Sequence, residues 1–112
     1  MSQRDNRVYL NHIDESITKI GGYMKNVTKD TFFANNLLID AVIRNLEIIG
    51  EASNRVSEEF TSAHPEISFR AAISMRNQLA HGYDDIDLDV VWNTITEDLP
   101  HLQSQLTDHL GN

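Results

Sequence analysis

What this sequence lacks excludes several kinds of chemistry. It contains no cysteine, so it forms no disulfide bond and performs no thiol chemistry. No uninterrupted apolar run reaches the length of a membrane span, and residues 1–5 carry no apolar signal-peptide core. We therefore expect a cytoplasmic protein that does not contact a membrane.

Basic residues are also scarce. The chain has 9 Lys and Arg residues against 17 Asp and Glu residues, a formal net charge of -8. This balance argues against broad electrostatic capture of nucleic acid, which requires a basic surface. Any activity on RNA must therefore use a local positive patch, or a partner must supply the affinity.

The 112 residues are expected to form one domain, 1–112, in which 40% of the residues are hydrophobic. Apolar residues recur at steps of three and four, which predicts helices over 5–28, 31–60, 69–80 and from 88 to the end. The expected fold is all-α, an antiparallel bundle of four principal helices. The second helix is so broadly apolar that it should pack on a second subunit as well as on its own bundle.

Short polar residues and one proline mark features of these helices. Asp5, either Thr28 or Asp30, and Ser68 suit the N-cap positions of the first three helices, because their side chains accept hydrogen bonds from free backbone N–H groups. Pro100 lies inside the fourth helix and removes a backbone hydrogen bond there, so we predict a kink. The apolar spacing continues past the proline, so both halves should face one core.

The segment R-N-Q-L-A-H-G-Y at residues 76–83 carries the groups best suited to chemistry. Arg76 is a permanent cation that suits phosphate oxygens, and His81 can give and take protons near neutral pH. Gly82 can adopt the left-handed conformation that ends a helix. On an unbroken helix, Arg76 and His81 would point about 140° apart. They converge only if the helix ends near Ala80 or if one of them comes from another chain, which favours a site completed by dimerisation.

A polar stripe with steps of three and four runs along the second helix and comprises Asp40, Arg44, Glu47, Glu51 and Arg55. One interpretation is a solvated face of ion pairs, each contributing about 0.2–0.5 kcal/mol. The other is that Glu47 or Glu51 orients the motif's arginine or histidine, because apolar residues border the stripe. Both interpretations stay open on these residues alone.

Residue spacing does not indicate a metal site. Four aspartates after the motif lack the glycine and the distal glutamate of a calcium loop, and they are expected to cap a turn and the fourth helix: Asp84, Asp85, Asp87 and Asp89. No pair among the histidines has the spacing of three or four residues seen in helical metal sites: His12, His64, His81, His101 and His109. We expect neither a metal site nor a cofactor.

The spacing R-x-x-x-x-H-x-Y resembles the motif of the HepT-like branch of the HEPN proteins, and the resemblance extends over nearly the whole chain. Residues 41–52, A-V-I-R-N-L-E-I-I-G-E-A, are similar to the family's second-helix signature. His64-Pro65-Glu66-Ile67 and Asp98-Leu99-Pro100 are similar to family segments in the same order. One departure is Ser68-Phe69, where many relatives carry a Pro-Trp pair before the third helix.

This resemblance implies a function for the motif. HepT-like proteins are toxins of type VII-like, two-gene toxin–antitoxin modules, and they act as metal-independent endoribonucleases, usually as homodimers. Their partner is an MntA-like nucleotidyltransferase antitoxin, which uses ATP to place AMP on the motif's tyrosine. By position, Arg76 and His81 correspond to the catalytic pair and Tyr83 to the modified tyrosine. Asn77 is suited to orient a phosphate or the imidazole.

Two other functions also fit the sequence. A non-catalytic helical binding module would dock a nucleotidyltransferase or a nucleotide, with Tyr83 as a switch, and the acidic net charge favours it. A structural helical adaptor would neither bind a nucleotidyltransferase or a nucleotide nor use Tyr83 as a switch. RNA degradation that is lost in His81→Ala separates the ribonuclease from both alternatives, and an ATP-dependent gain of mass with the partner separates the two alternatives from each other.

Overall fold

The computed structural model describes residues 3–81 and 86–110, with side chains from residue 5 onward. The chain is all-α as predicted, and no strand occurs within these ranges. In chain order the elements are α1 (Gln3–Tyr23), α2 (Lys29–Ala34), α3 (Asn36–Arg55), α4 (Glu58–Ala63), α5 (Arg70–His81), α6 (Leu88–Asn93), a π-helical turn (Thr94–Asp98), α7 (Leu99–Leu106) and a 3-10 turn (Thr107–His109). None of these helices is both long and apolar enough to cross a bilayer.

Helix α3 is the central element of the bundle, since it packs against both α1 and α5. Asn6, near the start of α1, donates a hydrogen bond to the Ser57 hydroxyl and accepts one from the Ser57 backbone N–H, both at 3.0 Å. Ser57 follows the end of α3, so α1 and α3 run antiparallel. The core between the helices is apolar, and burial of each large side chain contributes about 1.5–3 kcal/mol. Its fully buried members include Ile13, Phe32, Val42, Ile49, Val91 and Leu106.

The first helix ends earlier than the predicted residue 28. It stops at Tyr23, and a turn follows in which Asn26 has a φ of 61°. Asparagine tolerates this left-handed conformation better than most residues because its short side chain bonds locally. Thr28 then caps α2, as predicted, by accepting a hydrogen bond from the Thr31 backbone N–H at 3.2 Å.

The single second helix predicted over 31–60 is wrong, because the backbone breaks twice within that range. Asn35 is extended, and its side chain accepts a hydrogen bond from the Leu38 N–H at 3.0 Å. Ser57 likewise accepts from the Phe60 N–H at 3.1 Å and starts α4. Short polar side chains compete for backbone hydrogen bonds in this way. The helix therefore breaks although the apolar spacing continues.

Two predicted N-caps also differ from the structure. Helix α1 begins at Gln3, so Asp5 lies in its first turn, where a carboxylate is favourable against the helix dipole. Helix α5 begins at Arg70, so Ser68 lies one residue before the capping position. The Ser68 backbone N–H instead donates to Oε1 of Gln105 in α7 at 3.0 Å.

The fourth predicted helix accommodates Pro100 through the π-helical turn at Thr94–Asp98. There the Leu99 N–H donates to the carbonyl of Thr94, five residues earlier. A proline ring in a regular helix clashes with the carbonyl four residues before it, and a wider turn moves that carbonyl away. The apolar spacing does continue past the proline, as predicted, with Val91, Ile95, Leu99, Leu102 and Leu106 all buried.

Candidate active site

The position of Arg76 is set by a close crossing of α3 and α5. A Cβ atom built on Gly50 of α3 would lie 2.2 Å from the Cβ of Arg76 and 2.8 Å from the carbonyl oxygen of Ala72. Only glycine permits two helix backbones to approach this closely. Gly50 belongs to the block at residues 41–52 that carries the family resemblance, so part of that block determines the position of Arg76.

The Arg76 side chain turns from this crossing toward the exposed side of α5. The residue is half-buried, and its Nη1 lies 3.4 Å from Oδ1 of the neighbouring, exposed Asn77. A distance of 3.4 Å is at the long end for a hydrogen bond. The contact still shows that the guanidinium leaves the helix crossing and reaches the face on which Asn77 lies.

His81 lies on the same exposed face, one turn beyond Asn77. Helix α5 extends to His81, one residue beyond Ala80, near which the sequence predicted its end. Asn77 and His81 are four residues apart and therefore project from one side of the helix. The Cα–Cβ directions of Arg76 and His81 remain about 140° apart, since they are five residues apart on a continuous helix. The Asn77 side chain lies between them and contacts the Arg76 guanidinium.

The exposed face of α5 is locally basic in an acidic chain. Helix α5 contains two arginines and one histidine and no Asp or Glu, although the whole chain carries a net charge of -8. At steps of four, three and four, an exposed stripe runs along it: Arg70, Ser74, Asn77 and His81. An activity on RNA in such a chain requires a local positive patch, and this stripe, which carries one arginine and one histidine, is the candidate for it.

The two carboxylates that the sequence predicted to support the motif are those of Glu47 and Glu51. Glu51 pairs with Arg55 at 3.3 Å, and both side chains are well exposed, which fits a solvated ion pair. Within residues 5–81 and 86–110, no ion pair joins Glu47 or Glu51 to the arginine or histidine of the motif. Their role in orienting the motif stays a prediction, to be tested in an assembled dimer.

Part of the motif falls outside the described residues. Gly82 and Tyr83 lie there, as do Asp84 and Asp85, and the predictions for these four stay predictions. Beyond that gap, Asp87 caps α6 as predicted by accepting a hydrogen bond from the Asp89 N–H at 2.9 Å. Asp89 itself forms an ion pair with Lys29 at 2.8 Å, which ties α6 to α2.

Sequence reasoning missed a cluster of two histidines and a glutamate away from α5. His64 follows α4, and His109 lies at the end of the chain's last helical turn. Oε2 of Glu66 lies 3.5 Å from Nδ1 of His64 and 3.8 Å from Nε2 of His109. A search for histidines three or four residues apart cannot find this cluster, because tertiary packing brings its members together.

Comparison with known proteins identifies the family to which this arrangement belongs. The model of the family described as "Ribonuclease HepT-like" matches residues 13–108. A "Probable ribonuclease HepT" of Thermococcus cleftensis is 38% identical over 103 residues, which cover 92% of this chain and 94% of the relative.

A second relative is longer than this chain. The "Gamma-glutamylcyclotransferase and putative RNase" of Methanocaldococcus jannaschii is 39% identical over 104 residues, 93% of this chain but only 47% of the relative, so this chain spans about half of its length. No solved structure matches the chain at a comparable significance. Since the family model covers most of the chain and the Thermococcus relative matches nearly end to end, the chain belongs to the HepT-like ribonuclease family.

Proposed function

We propose that this chain is a metal-independent endoribonuclease whose site is built from Arg76 and His81 in a homodimer. The observation that carries the proposal is the exposed, acid-free face of α5, on which the Arg76 head meets Asn77 beside His81. A cation for phosphate and an imidazole for proton transfer thus share one side of one helix. Membership of the HepT-like family and the ribonuclease names of its relatives support the same activity.

Cleavage without a metal can use the neighbouring 2′-hydroxyl of RNA as the nucleophile. One imidazole accepts the proton of that hydroxyl while its oxygen attacks phosphorus, and the bond from phosphorus to the 5′-oxygen breaks. A second, protonated imidazole donates a proton to the leaving oxygen. The Arg76 guanidinium holds the phosphate and stabilises the charge that develops on it. Asn77 keeps the guanidinium on the reacting side.

The need for two imidazoles is one reason to propose a dimer. One α5 supplies a single motif histidine, and the exposed face of one helix has no wall that excludes water from a substrate. Two clefts on the described surface, one lined by Tyr9 and Arg44 and another by Phe60 and His109, do not include the motif residues. A second copy whose α5 faces the first would supply the other His81 and close the site.

An exposed apolar residue fits the same assembly. Leu37, in the first turn of α3, is 83% exposed, which is a large exposure for an apolar side chain. The second predicted helix was expected to contact another subunit, and Leu37 belongs to that segment. A homodimer that covers Leu37 would remove this apolar surface from water.

We propose that a nucleotidyltransferase controls the activity, in a toxin–antitoxin module. Tyr83 follows His81 by two residues, so an AMP unit on its hydroxyl would bring a phosphodiester anion and a purine close to the arginine. The anion would occupy the cation that RNA needs, and the purine would block access. The proposal for Tyr83 rests on the family resemblance and on this position in the sequence.

Incubation of the purified chain with RNA, with and without EDTA, tests the ribonuclease. We expect cleavage in both conditions and its loss in His81→Ala and Arg76→Ala, since an acid–base group typically contributes about 10²–10⁴ in rate. His101→Ala is the matched control, because His101 is an exposed histidine on α7. Cleavage that survives in His81→Ala, or that requires an added divalent metal, would refute the mechanism.

A non-catalytic binding module is the second candidate, and the net charge of -8 favours it. Such a module would leave RNA intact while it forms a stable complex with a nucleotidyltransferase or binds a nucleotide. The same purified protein decides between the two, because only the ribonuclease degrades RNA in the absence of a partner.

A further inference from the structure

A cluster of metal-binding side chains lies at the end of the bundle where α4, the start of α5 and the C-terminal turn meet. The ligand atoms of His64, Glu66 and His109 all lie within 4.8 Å of one another. The two imidazole rings are in contact, with centroids 4.4 Å apart and an interplanar angle of 64°. Both histidines are half-buried, whereas the Glu66 side chain is 59% exposed.

The distances within the cluster suit a metal ion better than direct hydrogen bonds. The glutamate oxygen is 3.5 Å from one imidazole nitrogen and 3.8 Å from the other. Hydrogen bonds to a carboxylate are shorter, about 2.7–2.9 Å. Neighbouring ligands of tetrahedral zinc lie about 3.3 Å apart, given bonds of about 2.0–2.1 Å to zinc. Shifts of less than about 1.5 Å would bring all three atoms to that separation.

Contacts around the cluster hold its two halves together. The Gln105 side chain accepts a hydrogen bond from the Ser68 N–H and donates one to the Glu66 carbonyl, so the loop that carries Glu66 is fixed to α7. The Phe60 ring packs on both imidazoles, with centroids 4.5 Å from His64 and 5.7 Å from His109. The ligands are therefore oriented by neighbours before any ion arrives, which favours affinity.

We propose that His64, Glu66 and His109 form a site for a divalent transition metal, with zinc as the ion that this ligand set suits best. Two neutral imidazoles and one carboxylate are a frequent protein ligand set for zinc. Asp108 lines the adjoining cleft of about 230 Å³, and it or a water molecule completes the fourth position. Arg7 lines the same cleft, but its side chain is exposed, so water screens its charge.

The site has a structural role that does not depend on the proposed ribonuclease activity. Two of its ligands, His64 and Glu66, precede α5, whereas His81 lies at the far end of that helix, about 18 Å away along an axis of twelve residues. The ion therefore joins the last helical turn to the loop before α5 and takes no part in cleavage. This is compatible with a nuclease that works in EDTA.

Zinc titration of the tag-free, metal-stripped full chain tests the site. By calorimetry we expect one zinc ion bound per chain, and by thermal unfolding a midpoint raised by about 5 °C or more at saturating zinc. Cobalt(II) should give the visible absorption of a tetrahedral complex. Glu66→Gln, which preserves shape at an exposed position, and His109→Ala should each weaken zinc binding at least about tenfold and abolish the thermal shift.

His101→Ala is the control, since His101 is an exposed histidine on α7 outside the cluster. It should bind zinc as the unmodified chain does. The proposal is overturned if the unmodified chain binds no zinc, if Glu66→Gln and His109→Ala both retain full affinity, or if His101→Ala loses as much affinity as they do. Circular dichroism of each variant confirms that it is folded before its affinity is compared.

Discussion

Gly50 and Arg76 meet at the crossing of α3 and α5 with no room for another carbon atom: a Cβ on Gly50 would lie 2.2 Å from that of Arg76. The position of the proposed catalytic arginine thus depends on a residue that has no side chain. Because the carbonyl oxygen of Ala72 also lies 2.8 Å from the same point, only a shift of the α3 or the α5 backbone could relieve the clash.

Gly50→Ala is therefore expected to destabilise the fold by about 1–3 kcal/mol, as overpacking of a core typically does, and to lower ribonuclease activity by displacing Arg76. Urea unfolding and RNA cleavage measure the two effects. Gly21→Ala is the matched control, since nothing lies within 4 Å of a Cβ there and alanine favours a helix by about 1 kcal/mol. Equal stabilities for the two variants would contradict the close crossing.

Asn77→Ala is expected to lower the cleavage rate by about tenfold, because the Arg76 guanidinium loses the group that holds it on the exposed face. Gln78→Ala provides the comparison. Gln78 is the next exposed residue of α5, and its side chain contacts Ser74 at 3.4 Å instead of the arginine. If both variants cleave RNA at the unmodified rate, the contact has no part in catalysis.

A mixture of Arg76→Ala and His81→Ala chains tests whether the site is shared between protomers. Each variant alone should be inactive, whereas a mixed dimer retains one arginine and one histidine on opposite chains. If these two roles are split between the protomers, the mixed dimer should recover part of the activity, and only part, because water must replace the missing second imidazole in proton transfer. The measurement is RNA cleavage after co-refolding. A protein that light scattering shows to be monomeric at micromolar concentration would contradict the shared site.

Incubation with an MntA-like nucleotidyltransferase, ATP and magnesium is expected to add AMP to Tyr83 and to silence cleavage. Tyr83→Phe should remain active and escape silencing, because it lacks the hydroxyl that accepts AMP. Peptide mass spectrometry locates the modification. Modification of Tyr9 or Tyr23 instead, or of no tyrosine, would show that the regulatory proposal is wrong.

Ser53→Ala is expected to leave stability unchanged or to raise it by about 1 kcal/mol, since a buried hydroxyl without a partner carries a desolvation cost. Ser53 is 2% exposed, and within the described ranges its Oγ has no hydrogen-bond partner. Ser57→Ala should instead cost about 0.5–2 kcal/mol, because that hydroxyl caps α4 and also binds Asn6. Urea unfolding of both variants compares them, and a large loss in Ser53→Ala would reveal an unrecognised partner.

Periodicity in the sequence predicted the helical bundle and most of its core, because burial follows the apolar stripe of each helix. It could not predict the breaks at Asn35 and Ser57. At each of these residues the side chain accepts a hydrogen bond from a backbone N–H and begins a new helix. It could not assign a purpose to Gly50 either. From the sequence alone, a glycine inside a helix is only destabilising. The structure shows why it is needed here, because α5 packs directly against the Gly50 backbone.

The sequence likewise indicates the residues of the candidate site but not the contacts between their side chains. Arg76 and His81 stand out by chemistry and spacing, but the reach of the guanidinium to Asn77 depends on side-chain conformation. The cluster of His64 with His109 depends on how α4 and the C-terminal turn pack, so no local pattern in the sequence indicates it.

The π-helical turn at Thr94–Asp98 holds one residue more than a regular α-helical turn. Deleting one residue within it would restore ordinary winding and leave the later side chains near their present orientation, although the Pro100 ring would then meet the carbonyl four residues before it. A deletion between Asp98 and Leu102 would instead rotate the later side chains by about 100° about the helix axis. Gln105 would then no longer face the loop at Ser68, and Leu102 would leave the core. Loss of a residue is therefore absorbed by the π-helical turn and not by α7.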